Sequence, residues 1–228
     1  MQLAIMALPM SDPQIKPNIK LVCFDLGGVI IRLCPTWQER CHAAGLELRN
    51  PELWDAFDPK REVLLMQYMT GQLSGSDFAN KLSEHIDQLY SPAEIARILD
   101  AWLVDEYAGL SQIVDQLHEI GMDTAALSNT THEHWARMNE FPTVLKLKNL
   151  FPSHEIGLHK PDPAIYFHLE KSLCYHGNEI LFFDDTQENV DAAIKIGWQA
   201  IRIDPTEEPS TQISLALKQH DIVITLQP

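Results

Sequence analysis

The chain has 228 residues, room for one large domain or for one domain carrying an inserted module. Its 45% hydrophobic and 21% charged residues are those of an ordinary globular protein, and no run reaches the roughly 18 apolar residues that a membrane span needs. The formal net charge of −15, from 32 acidic residues against 17 Lys and Arg with no basic cluster, argues against nucleic acid as a partner. A phosphorylated ligand would have to be held against that field by local cations and backbone N–H groups, which favours a bound metal.

Met1 to Met10 is apolar but has no basic n-region and runs into Ser11-Asp12-Pro13, so residues 1–19 read as an N-terminal tail and not as a signal peptide. Leu21-Val22-Cys23-Phe24 has the length and composition of a buried strand. From Cys34 to Asp105 the patterns are helical throughout: Phe78, Leu82, Ile86 and Leu89 share one face, as do Ile95, Ile98, Leu99 and Trp102, with Ser91-Pro92 as a start signal between them. We expect about four helices there and no strand. Leu110, Ile113, Val114, Leu117 and Ile120 mark a helix stopped by Gly121, followed by a strand at Thr124–Leu127. Asp162-Pro163 opens a helix to about Leu173, Ile180–Phe183 is a strand, Gln187–Ile196 a helix, and Ala200–Ile203 a strand. A small helix and a short edge strand at Ile222–Ile224 are expected to finish the chain.

Strands alternating with helices imply an α/β fold, a Rossmann-like doubly wound parallel sheet. The expected division is a core of residues 20–33 and 106–228 with an all-helical insert at 34–105. Cys23, Cys34, Cys41 and Cys174 form no CxxC pair and read as reduced thiols of a cytoplasmic protein.

In an open parallel sheet ligands bind beyond the carboxyl ends of the strands. The strands here end in Asp25-Leu26-Gly27-Gly28-Val29, in Ser128-Asn129-Thr130 and in Asp184-Asp185, and Gly157-Leu158-His159-Lys160-Pro161-Asp162-Pro163 lies between the last two. Singly, each is an ordinary cap or turn. Two adjacent carboxylates at a buried strand end, however, repel one another unless a cation offsets them, and all four elements fall in one order at the same end of the sheet.

These motifs resemble those of the haloacid dehalogenase superfamily over roughly Leu21 to Ile203, and the helical insert looks like that superfamily's cap of the first type. The resemblance implies a phosphohydrolase that takes a small phosphorylated substrate, with Asp25 as nucleophile and Lys160 as its charge partner. Ser128, Asn129, Lys160, Gly27 and Gly28 would hold the phosphoryl group. Mg²⁺ would be held by Asp25, Asp184, Asp185 and the backbone carbonyl of Gly27, with Asp185 a more direct ligand than Asp184. Chemically, a carboxylate can form an aspartyl-phosphate that splits one hard displacement into two easier ones.

One position departs from the family's pattern. Two residues after the nucleophile most phosphatases of the superfamily carry a second aspartate, a general acid and base, and here that residue is Gly27. The variant resembles a branch that includes sugar-phosphate phosphatases. A metal-independent 2-haloacid dehalogenase using the same Asp25 is one alternative, and a degenerate non-catalytic binder is another. Lys60, Arg61 and His85 read as solvated helix faces, Trp37, Trp54 and Trp102 as core or cap-interface residues, and His132 and His134 either line the site or face solvent.

Overall fold

The computed structural model describes residues 18–224, so most of the tail expected at 1–19 lies outside the described residues. In chain order, β1 (Leu21–Phe24) and β2 (Ile31–Leu33) lead into α1 (Trp37–Ala43), α2 (Pro51–Asp55), α3 (Pro59–Met69), α4 (Gly75–His85) and α5 (Pro92–Asp100). Next come β3 (Leu103–Glu106), α6 (Leu110–Glu119), β4 (Asp123–Ser128), α7 (His132–Met138), α8 (Pro142–Lys146), β5 (Asn149–Pro152), α9 (Ser153–Ile156) and α10 (Pro163–Leu173). β6 (Ile180–Asp184), α11 (Gln187–Lys195), β7 (Gln199–Arg202) and α12 (Pro209–Gln219) follow.

Five strands form one parallel sheet in the order β5-β4-β1-β6-β7. β1 lies in the middle, and all four of its residues are buried. Side chains alternate across a strand, and here the alternation feeds two separate layers. Val22, Phe24, Ala126, Leu181 and Phe183 pack under α6, α7 and α12, against Leu110, Ile113, Leu117, Trp135 and Ile213. Leu21, Cys23, Ala125, Ile180 and Phe182 pack on the other face against Ile165, Tyr166 and Leu169 of α10 and Ala193 of α11. The fold is thus the expected α/β, Rossmann-like sheet covered on both sides. Among the described residues no helix is long and apolar enough to cross a membrane.

The helices between β2 and β3 have an apolar cluster of their own, in which Phe78, Ala79 and Leu82 of α4 meet Ile95, Ile98 and Leu99 of α5, with Cys41, Tyr68 and Tyr90 beside them. Helix α5 starts where Ser91-Pro92 suggested, with a capping box between Ser91 and Glu94. Where four helices and no strand were expected there are five helices, and Leu103–Glu106 is a strand paired antiparallel with Ile31–Leu33. A ribbon this short has too few residues to display a period.

One further expectation fails, and one strand was not foreseen. Ile222–Ile224 is not a strand: Ile222 buries its side chain against the first layer instead of joining the sheet, and Val223 is exposed. Asn149–Pro152 is an additional strand, at the edge beside β4, where a terminal proline and an exposed Leu150 hide any alternation.

Candidate active site

Asp25 is the first residue beyond β1. Its backbone N–H donates to the Phe183 carbonyl at 2.7 Å, continuing the ladder with β6, and the Leu26 N–H donates to Oδ1 at 2.7 Å. Its carboxylate therefore emerges at the carboxyl edge of the sheet in a fixed direction. β6 runs parallel to β1, with Phe24 opposite Phe183, and brings Asp184 and Asp185 to the same edge.

Lys160 reaches in from the loop before α10. Its side chain is fully buried, and Nζ lies 3.0 Å from Asp25 Oδ1 and 2.6 Å from Asp184 Oδ2. Asn129 at the end of β4 fixes that loop: Nδ2 donates to the Lys160 carbonyl and Oδ1 accepts from the Lys160 N–H, both at 2.8 Å. Asp184 also accepts from the Thr186 N–H at 2.8 Å and from Asn189 Nδ2 at 3.0 and 3.1 Å. Asp185 accepts from Thr186 Oγ1 at 3.3 Å and is the less encumbered of the two. Ser128 ends β4 and is buried.

One carboxylate oxygen from each of Asp25, Asp184 and Asp185 lies within 4.8 Å of the other two. Burial, reinforced by Asp184 and Asp185 and opposed by Lys160, pushes Asp25 up to about 7. Asp185 is raised as well, by burial and then by Asp184. For Lys160, burial works against the charge, but Asp184 and Asp25 outweigh it and hold the ammonium above its ordinary value. One cation for three carboxylates leaves a local excess of negative charge on hard oxygen donors, the donor set that suits Mg²⁺.

The two glycines after Asp25 have different constraints. Gly28 has φ 72°, and a Cβ there would lie 2.4 Å from Asp185 Oδ2, so both backbone and space require glycine. Its N–H is donated to the Ile31 carbonyl at 2.8 Å, which closes the turn into β2. Gly27 lies outside the left-handed region, but a Cβ there would meet Leu33 Cδ1 at 2.8 Å. An apolar side chain thus fills the space beside the one position where a second carboxylate was expected.

A cleft of about 1110 Å³ opens from Gly28 and Asp185 and runs past Leu33 to Arg32, Arg40, His42 and Tyr107. A smaller cavity of about 240 Å³ in the helical segment is lined by Trp37, Trp54, Trp102, Arg61 and Phe78. Trp37 and Trp54 stack with centroids 4.0 Å apart. Arg61, expected on a solvated face, is instead part-buried: its guanidinium donates to the Leu53 and Ala56 carbonyls at 2.9 and 2.7 Å, closing α2. His85 pairs with Asp58, Lys60 is exposed, and none of these three lines the cleft.

Helix α7, directly after Ser128-Asn129-Thr130, holds the helical segment over this edge. Tyr68 OH donates to Glu133 Oε2 at 2.7 Å, and His134, fully inside, donates from Nε2 to the Leu99 carbonyl at 2.8 Å. Arg137 binds Asp100 at the end of α5, and Ser153 Oγ donates to the Met69 carbonyl at 2.6 Å. His132 is exposed. Sequence reasoning missed Asn189, Leu33 and Glu133. Asn189 carried a signal, one helical turn past the acidic pair. The other two act only through contacts distant in the chain.

A model of the family described as haloacid dehalogenase-like hydrolase matches residues 19–197. A sesquiterpene phosphatase from Aspergillus oryzae is 22% identical over 188 residues, covering 82% of this chain and 90% of that one. Among solved structures, a HAD-like family hydrolase from Porphyromonas gingivalis superposes with a TM-score of 0.72 at 24% identity, covering 88% of this chain and 98% of that one. A HAD family enzyme from Bacteroides thetaiotaomicron in complex with magnesium and inorganic phosphate gives 0.69 at 24% identity, with 85% and 98% covered. The L-2-haloacid dehalogenase of Xanthobacter autotrophicus, with chloropropionic acid covalently bound, gives 0.60 at 18% identity, with 92% and 85% covered.

Proposed function

Because the chain belongs to the haloacid dehalogenase-like hydrolases, we propose that it is a Mg²⁺-dependent phosphatase of a small phosphorylated metabolite, with Asp25 as nucleophile. The observation that carries this reading is the charge at the site: three carboxylates share oxygens within 4.8 Å, and Lys160 is their one contacting cation among the described residues. A dehalogenase needs no metal, and the same cluster would then stand as uncompensated negative charge beside its own nucleophile. The names of the Aspergillus and Bacteroides relatives, a phosphatase and a protein holding magnesium and phosphate, lean the same way.

Asp25, Asp185, the Gly27 carbonyl and, less directly, Asp184 would hold the ion. When bound, Mg²⁺ supplies positive charge to the nucleophile and to the phosphoryl oxygens. Asp25, aimed by the Leu26 N–H and Lys160, attacks phosphorus to give an aspartyl-phosphate. Lys160 offsets negative charge on that carboxylate, and Ser128 donates to the phosphoryl group. Asn129 acts by fixing the Lys160 loop, since both ends of its amide are bound to the Lys160 backbone. Gly28 acts by leaving room beside Asp185. Residues 34–105 form the cap over a core of 20–33 and 106–228, a division consistent with the separate apolar cluster of the helices. The free state of all four cysteines suits a cytoplasmic protein.

The test is turnover of a panel of phosphate esters and of 2-chloropropionate, with Mg²⁺ and after EDTA. Phosphate release that stops on chelation and returns with Mg²⁺ is the expected result. Chloride release that survives EDTA would transfer the protein to the dehalogenases.

A further inference from the structure

We propose that the cleft beside Asp185 is built for a phosphoanhydride, in which the phosphoryl group attacked by Asp25 is joined to a second phosphate that leaves as an anion. This rests on the phosphatase reading above and names its substrate class. Two separate features carry it, and Leu33 belongs to both.

The first concerns the proton. An alkoxide is too basic to leave at neutral pH unless an acid protonates it as the P–O bond breaks. The residue placed to do so is Gly27, and Leu33 Cδ1 fills the adjoining space, 2.8 Å from where a Cβ would sit. Three of the polar groups around Asp25 are committed elsewhere. Lys160 is bound to two carboxylates, Asn129 to the Lys160 backbone, and Asp184 to Thr186 and Asn189. A departing phosphate monoester needs no such acid, because its second ionisation lies near about 6.

The second concerns charge. In a chain of net charge −15, the cleft from Asp185 and Leu33 leads to Arg32, Arg40 and His42. Arg32 is paired with Asp105 at 2.9 Å. The partners of Arg40 are different: Nε donates to the Cys34 carbonyl at 2.9 Å, Nη2 to the Pro35 carbonyl at 3.2 Å, and the guanidinium lies 3.8 Å from the centroid of Trp102. Burial pulls Arg40 down to about 10, which leaves it charged at neutral pH. Two other polar groups of the cleft wall are occupied, Glu39 by the Thr36 N–H at 3.2 Å and Tyr107 OH by the Pro205 carbonyl at 3.1 Å. A guanidinium fixed by carbonyls and an indole face, with no carboxylate among those partners, is suited to a ligand phosphate.

The reaction balances without a protein acid. An Asp25 oxygen bonds to the terminal phosphorus, the bond from that phosphorus to the bridging oxygen breaks, and the electron pair leaves with the phosphate monoester beside Arg40. Water then attacks the phosphorus of the aspartyl-phosphate, the bond from phosphorus to the Asp25 oxygen breaks with its electron pair returning to the carboxylate, and inorganic phosphate departs after the attacking water gives its proton to solvent.

The experiment compares kcat/KM of the Mg²⁺-supplied enzyme for isopentyl phosphate, isopentyl diphosphate and phenyl phosphate. General acid help is typically worth about 10²–10⁴-fold, so the diphosphate is expected to exceed the alkyl monophosphate by about 10²-fold or more. Arg40→Met is expected to lower the diphosphate rate about tenfold relative to phenyl phosphate, and Arg40→Lys to restore most of it; phenyl phosphate turnover and circular dichroism report the fold. A diphosphate cleaved no faster than the alkyl monophosphate overturns the proposal. So does an Arg40→Met variant that slows all three substrates alike. No turnover of any of the three overturns the phosphatase reading and this one with it.

Discussion

Replacing Gly27 by Asp should return to the site the acid it lacks. The backbone permits it, because Gly27, unlike Gly28, does not occupy the left-handed region. The obstacle is Leu33 Cδ1, 2.8 Å from the new Cβ and at the free end of a flexible side chain. Forcing that side chain off its rotamer costs about 0.5–1.5 kcal/mol. The new carboxyl would join three others already crowded around Lys160, and like charge favours its protonated form, which is the form a general acid needs. The gain for a basic leaving group is about 10²–10⁴-fold, or roughly 3–5 kcal/mol off the barrier at 1.36 kcal/mol per decade, which outweighs the packing cost. The assay is log kcat/KM against leaving-group pKa for wild type, Gly27→Asp and Gly27→Asp with Leu33→Ala, with urea unfolding and Mg²⁺ affinity measured alongside. Wild type should show a steep slope, and the variants a shallower one through faster alkyl phosphates. If wild type is already shallow, or if folded, Mg²⁺-binding variants keep its slope, the argument about the proton is wrong.

Lys160→Met should abolish turnover and cost about 3–5 kcal/mol of stability, because Asp25 and Asp184 then bury their charge without a cation; urea unfolding of the variant and of its combination with Asp184→Asn, expected to recover part of the loss, checks this. His154 has both ring nitrogens buried without a hydrogen-bond partner among the described residues, and burial holds its pKa below the ordinary 6.5. The folded state thus favours the neutral ring, whose contribution is complete above pH 6.5 and is lost as the pH falls toward the lower folded value. His154→Leu should therefore raise the melting temperature, by about 1 kcal/mol or more in stability, and should lessen the fall in stability from pH 7.5 to 5.5. An unchanged pH dependence would remove His154 as its source.

The central strands were legible because a strand buried on both faces is written as a short apolar run, as in Leu21–Phe24 and Ile180–Phe183. The acidic pair was legible because two adjacent carboxylates at a strand end demand a cation. What could not be read depends on contacts between distant residues. Asn129 looks like a ligand to phosphate until its amide is seen to grip the Lys160 backbone, 31 residues on. Gly27 shows the absence of an acid, but only the β2–β3 ribbon shows that Leu33 occupies the space. Ile222–Ile224 has strand composition, yet burial of Ile222 in the layer under the sheet satisfies it without pairing. The Asn149–Pro152 strand, conversely, follows from a free edge beside β4 that no local composition announces.

The central claim is covalent catalysis by Asp25, and its direct test is to trap the intermediate. The Mg²⁺-supplied enzyme is mixed with a ³²P-labelled phosphoryl substrate, quenched in acid during turnover, and either digested for peptide mass spectrometry or first reduced with borohydride, which converts an acyl phosphate of aspartate to homoserine. The account predicts label on the peptide containing Asp25, homoserine at that position alone, and neither in Asp25→Asn. Turnover that continues with no label on that peptide, or with label on another residue, would contradict it.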